Sequence, residues 1–178
     1  MVVEDGNMIY DSRDNCNAII ESKTNTLVFG CKTTIIPNTV KTIATRSFFG
    51  CSGLTSIVFP NSIEVIESHA FYQCTGLTSV TIPKSVRRIG GQNPFAYCQN
   101  LTSVFVEDGS TTFDTRDNCN AVINTNTNEL IIATKNSVIP NTVTSIGEDA
   151  FYQFSNYTSI PIPNSVTAIK QSAFCGCI

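Results

Sequence analysis

The chain has 178 residues, 42% of them hydrophobic and only 14% charged, with a formal net charge of −3. Asn, Ser and Thr together number 56, which excludes both a charge-rich disordered tail and a long coiled coil. The eleven Lys and Arg are scattered, so no basic stripe exists to displace the counterions of a phosphate backbone, and nucleic acid is not an expected partner. No run approaches eighteen apolar residues, and the opening MVVEDGNMIY lacks the basic start and apolar stretch of an export signal, so no membrane insertion is expected.

Internal repetition organises residues 1–178 as a single array. The first long coil, 3–36, carries AIIE and TLVF on either side of SKTN, which predicts a β-hairpin protruding from the array with its turn at 22–25. From Pro37 the chain repeats every 23 residues through Pro60 and Pro83, and again from Pro140 to Pro163. These steps define short coils at 37–59, 60–82, 83–106 and 140–162, and an incomplete one at 163–178. Between them a second long coil, 106–139, repeats the first at an offset of 103, with AVIN and ELII flanking TNTN as a second hairpin. The chain opens inside one repeat and stops before the strand that would follow Cys177. It therefore reads as part of a longer solenoid whose uncapped ends invite end-to-end self-association.

Aligning the short coils on their prolines gives unbroken apolar columns. The residue before each proline is Ile36, Phe59, Ile82, Ile139 or Ile162, and three after it stand Val40, Ile63, Val86, Val143 and Val166. Ile43, Ile66, Ile89, Ile146 and Ile169 follow at six, and Phe48, Phe71, Phe151 and Phe174 at eleven, with Phe95 displaced by one. At fourteen come Cys51, Cys74, Phe154 and Cys177, with Cys98 carried along by the same displacement. Columns of this kind are what a solenoid needs to fill a continuous core. The following LTSIVF, LTSVTI, LTSVFV and YTSIPI place apolar residues at positions one, four and six, the LxxLxL strand of a leucine-rich repeat. Short parallel strands are expected near 55–59, 78–82, 102–106 and 158–162, a second run near 63–66 and its equivalents, and a helical turn over each AF segment.

The pattern (I)PxSVxxIxxxAFxxCxxLTSVxI resembles the BspA-like leucine-rich repeat family of bacterial surface proteins over nearly the whole chain. The expected fold is a right-handed leucine-rich-repeat solenoid, mostly β with short helical turns, its parallel strands stacked coil on coil and carrying two hairpin insertions. Departures are local: one extra residue in GGQNPFAYC, Gly after the sixth-position Ile only at Gly90 and Gly147, and Pro161 inside a strand.

No catalytic, cofactor-binding or metal-ligating set is expected. Four of the eight cysteines share a column with Phe154, so they are read as buried reduced thiols. His69, the single histidine, has Arg46, Gln92, Asp149 and Ser172 as column mates, which reads as a solvent-exposed position and leaves no His-based nucleophilic site. The carboxylate pairs Glu4/Asp5, Glu107/Asp108 and Glu148/Asp149 are adjacent in sequence and unsuited to converge on a substrate. DSRDN at 11–15 and DTRDN at 114–118 concentrate hard oxygens as a calcium loop does, but Asp and Asn also brace turns, and that structural reading is preferred. In a regular hairpin Cys16 falls opposite Cys31, which permits a disulfide that a one-residue slip would forbid.

In an LxxLxL strand the residues flanking the fourth position point outward. They form the candidate protein-binding face, Ser56, Val58, Ser79, Thr81, Ser103, Phe105 and Ser159, small and nearly uncharged. The family resemblance implies a secreted or surface-exposed bacterial protein whose solenoid face adheres to an extracellular protein of a host matrix or another cell. The alternative is a structural spacer that displays another domain and binds nothing itself.

Overall fold

A 23-residue coil cannot bury its own apolar positions, so it lays them against the coils on either side. The computed structural model describes residues 1–154, 157 and 159–177. The first long coil supplies β1 (Tyr10–Asp11), β2 (Ile19–Glu21) and β3 (Thr26–Phe29). The next three coils supply β4 (Thr42–Ile43), β5 (Val65–Ile66), β6 (Ser79–Ile82), β7 (Arg88–Ile89) and β8 (Ser103–Val106). The second long coil supplies β9 (Phe113–Asp114), β10 (Val122–Asn124) and β11 (Glu129–Ile132), followed by β12 (Ser145–Ile146) and β13 (Ala168–Ile169). They join as β1-β2-β3-β4-β5-β7, as β13-β12-β11-β10-β9, and as the separate pair β6-β8. The result is a solenoid of stacked coils; among the described residues the only helical segments are the 3-10 turns Arg13–Asn15 and Arg116–Asn118.

The two-residue strands β4, β5, β7, β12 and β13 occupy the second run that the sequence predicts. The hairpins do not protrude, however. β3 pairs antiparallel with β2 on one side and parallel with β4 on the other, in the register Thr26↔Thr42 and Leu27↔Ile43, and β11 meets β12 in the same way. The reason lies in Leu27 and Leu130, fully buried in line with Ile43 and Ile146. Each hairpin thereby stands in for the second strand of a short coil, and lying in the sheet pairs an edge that would otherwise be bare.

The first run is shorter than expected. β6 and β8 pair in parallel as Ser79↔Ser103 through Ile82↔Val106. Residues 55–59 and 159–162 form no strand, and Thr158 lies outside the described residues. The AF segments are successive turns rather than helical turns. Phe48 and Gly50 send their amides to Ala70 O and Tyr72 O of the next coil at 2.8 and 2.9 Å, while the amide of Phe49 closes a local turn on Arg46 O at 3.0 Å. That alternation needs left-handed residues, and Arg46, His69, Asp149 and Ser172 adopt φ of 57, 57, 56 and 55°.

Inside, Phe48, Phe71 and Phe95 stack at centroid separations of 4.8 and 5.0 Å, and Phe151 on Phe174 at 4.9 Å. Val40, Ile43, Ile63 and Ile66 are fully buried beside them. Ile162 and Ile169 are exposed, because residues 163–178 form the last coil of the structure. The cysteine column does more than fill space: Cys74, Cys98 and Cys177 donate to Phe48 O, Phe71 O and Phe151 O of the preceding coil at 3.0, 3.2 and 2.9 Å. Burial pushes the Cys74 thiol up to about 12, so it stays a protonated donor.

The two DxRDN segments brace the hairpins. Arg13 grips Asp11 through Nε at 2.7 Å and Nη2 at 2.5 Å, while its Nη1 reaches Asn25 in the hairpin turn at 2.8 Å and Thr39 of the next coil at 3.2 Å. Arg116 repeats this with Asp114, Asn128 and Thr142. The hydrogen bond from Arg13 holds the Asp11 carboxyl well below the usual carboxylate range; burial opposes it, and Ser22 adds to it.

Two outcomes follow from this packing. Phe71→Ala is expected to cost about 3–5 kcal/mol through lost burial and a residual cavity, whereas Thr81→Ala stays within about 0.5 kcal/mol; denaturant melts check both. Because the native Asp11 value is depressed, its brace stabilises the fold above the ordinary carboxylate value of about 4 and fades as pH falls through the native value. Melts of wild type and Asp11→Asn should differ near neutrality and draw together steadily below about pH 4.

Candidate protein-binding surface

The wall formed by β6, β8 and the segments in line with them carries the residues expected to face outward. Ser56, Ser79, Thr81 and Ser159 are exposed, Val58 and Phe105 are 82% and 53% exposed, and Ser103 is half-buried. The β6-β8 register sets Ser79 beside Ser103 and Thr81 beside Phe105. Ser56 and Val58 lie one coil earlier, lining a groove with Lys32 and Ile35, and Ser159 lines a separate hollow with Tyr157 and Phe174.

Two further members were hidden by the hairpin-bearing coils. Ile35 and Val138 stand two residues before Pro37 and Pro140, as Val58 stands before Pro60. They are 74% and 67% exposed. The outward column thus reads Ile35, Val58, Thr81, Phe105, Val138 and Pro161. That proline offset was the available signal.

The neighbouring wall is electrostatically different. Along β4, β5 and β7, Glu64 lies between Lys41 at 3.4 Å and Arg87 at 3.9 Å, and Arg88 pairs with Glu67. Lys170 and Glu129 pair at 2.7 Å across the second sheet. Charge is gathered and neutralised there. The outward face of β6 and β8 carries none.

His69 departs from its expected exposure. It is 9% exposed, and its Nε2 lies 2.9 Å from Oδ2 of Asp149, itself 6% exposed. The pair joins residues 80 apart in sequence, beside the turn that carries the extra residue of the third short coil and bonds to Glu148 and Tyr152. There Asn93 is fully buried, donating to Asp149 O and Ala150 O at 3.3 and 3.0 Å and accepting from the Phe95 amide at 2.9 Å. Gly90 backs directly onto the Ser68 amide, where a Cβ would come within 2.1 Å. The pair packs against Tyr72, whose hydroxyl burial and the Tyr152 hydrogen bond push up to about 12.

The hairpin also settles the cysteines. Glu21↔Thr26 and Ile20↔Leu27 pair as expected, then a bulge shifts the register so that Ile19 meets Phe29. Cys16 and Cys31 are both free, with thiols directed at Ala18 O and Asn17 O. In DSRDN the Asp11 oxygens are taken by Arg13 and Ser22. Among the described residues, no group of three or more His, Cys, Asp or Glu converges on a metal position.

Residues 19–135 and 122–178 match the BspA type leucine rich repeat region, in six copies. The chain belongs to the BspA-type leucine-rich repeat family. Among solved structures, the pneumococcal vaccine antigen PcpA is similar at a TM-score of 0.71 and 24% identity, over 80% of this chain and 36% of that one. A leucine rich cell surface protein of Faecalibacterium prausnitzii gives a TM-score of 0.67 and 30% identity over 80% of this chain and 38% of that one. A leucine-rich repeat protein of Eubacterium ventriosum gives 0.57 and 16%, over 85% and 52%. The chain therefore spans little more than a third of the first two. No curated protein matches it.

With every thiol free, alkylation of denatured protein without reductant should label all eight cysteines by intact mass. A mass corresponding to six labels, mapped to Cys16 and Cys31, would contradict the bulged register.

Proposed function

We propose that this chain is a protein-binding and adhesion module of a secreted or surface-displayed bacterial protein, without catalytic activity. Its ligand is an extracellular protein of a host matrix or another cell, met by Ser56, Val58, Ser79, Thr81, Ser103, Phe105 and Ser159 together with Ile35 and Val138. The observation that carries the reading is the contrast between two walls of one solenoid. Charges are paired across coils on one, while the other leaves Ile35, Val58, Phe105 and Val138 in water with no charged neighbour in its strands. Exposed apolar side chains in line on a rigid sheet are what a partner buries at the centre of an interface. The F. prausnitzii relative is a cell surface protein and PcpA a vaccine antigen, which supports display outside the cell. No helix among the described residues is long and apolar enough to cross a membrane.

The test is retention of extracellular matrix proteins on the immobilised chain, followed by Val58→Asp and Phe105→Asp. Both sites are exposed, so each variant should melt within about 0.5 kcal/mol of wild type. Each should nevertheless lose retained ligand by roughly tenfold, as expected when a charge enters the core of an interface. A wild-type chain that retains nothing favours the spacer.

A further inference from the structure

We propose that the groove between residues 32–36 and 55–59 takes up an extended polypeptide segment of the partner by strand addition. This rests on the protein-binding reading above and names how the partner is held. The groove, of about 500 Å³, runs along both segments, with Thr33, Ile35 and Ile36 on one side and Ser56, Ile57 and Val58 on the other.

Its main chain is open. No N–H or C=O of residues 55–59 makes a main-chain hydrogen bond, although all five residues are described and four of them are at least partly exposed. Opposite them, the Ile35 amide is engaged by Cys16 O at 3.1 Å, but no carbonyl of residues 32–36 accepts a main-chain bond. The opening is confined to this wall. The same coils are closed elsewhere by Thr42↔Val65 and by the 2.8 Å bond from the Phe48 amide to Ala70 O. One step further along, LTSVTI and LTSVFV zip together over four residues as β6 and β8.

Unpaired donors and acceptors along an extended segment are a template for another strand. The β6-β8 ladder shows what such a segment accepts: an uncharged parallel strand with β-branched residues at alternate positions. A strand laid in the groove would satisfy those free groups of residues 55–59 that point into it and place alternate side chains beside Ile35 and Val58, both largely in water. Lys32 is the single charged residue lining it, so an uncharged segment suits it.

The probe is a fluorescein-labelled peptide of sequence LTSVTIP, titrated onto the full chain with amide hydrogen exchange read in parallel. In the free protein the amides of residues 56–58 should exchange far faster than those of β6. The peptide should bind saturably and slow them. The same peptide N-methylated at alternate residues should bind at least tenfold more weakly, and so should wild-type peptide on Val58→Pro, which deletes one donor. Should Val58→Pro fail to fold, the N-methylated peptide carries the test alone. Protection of residues 56–58 equal to that of β6, absence of binding, or equal binding of the N-methylated peptide would each overturn strand addition. Retention of a matrix protein that depends on Val58 and Phe105, without peptide binding, sinks the groove and leaves the face reading standing.

Discussion

The whole array depends on one distance. Aromatic rings stack in this core at 4.8 to 5.0 Å, and hydrogen-bonded strands lie about 4.7–4.9 Å apart. A single translation per coil therefore satisfies the backbone and the core together. It also decides what each column can hold, since every side chain must tolerate its counterpart one step away. Phe does so by stacking, Ile by packing on Ile, and Cys by donating to the carbonyl of the coil below. A column of one charge cannot, and the fourth position after the proline alternates Lys41, Glu64 and Arg87 so that each repulsion becomes a weak attraction.

The translation is broken at one joint. The second long coil contributes β11 to the sheet but no Phe turn, so the turn of the third short coil must bond directly to that of 140–162. It does so through the Tyr97 amide to Tyr152 O and the Asn93 amide to Glu148 O, both at 3.3 Å. The extra residue in GGQNPFAYC falls at this place. Here Asn93 is buried with its amide satisfied, and His69 and Asp149 face each other. Phe95 and Phe151 do not stack, and the polar pair and the Tyr72–Tyr97–Tyr152 cluster hold the joint instead. Two irregularities in the repeat, a long coil and an inserted residue, are thus one structural solution.

The columns were legible because periodicity reports burial wherever the next coil in sequence is also the next in space. His69 was misread for the converse reason: at the joint it meets Asp149, a column mate whose coil does not follow its own in sequence. Phe71 and Cys74 could be placed from spacing, yet nothing in the spacing said that the thiol would donate to Phe48 O. The hairpin turn at 22–25 was legible from SKTN between two apolar runs, but the bulge between Ile19 and Ile20 was not, since alternation of side chains alone carries no mark of an inserted residue. Residues 55–59 are the clearest limit. LTSIVF differs little from LTSVTI, yet only the latter forms a ladder, with LTSVFV of the next coil; on the other side of LTSIVF the segment at 31–36 turns on itself through the Thr34 amide to Cys31 O.

The same repetition separates what the chain must keep from what it can vary. Its sixth-position column is Ile43, Ile66, Ile89, Ile146 and Ile169 without exception, and in the sheets each lies beside another Ile of the column, with Leu27 and Leu130 completing the rows. Its outward column is Ile35, Val58, Thr81, Phe105, Val138 and Pro161, no two neighbours alike. Nothing in the stacking distance constrains those side chains, because they point into water and meet no counterpart that must match. A change there costs little stability, yet alters one step of a surface whose spacing is already fixed by the core. Where a solenoid varies from coil to coil at positions its packing does not dictate, that variation is free to encode recognition, and here it coincides with the wall whose strands β6 and β8 carry no charge.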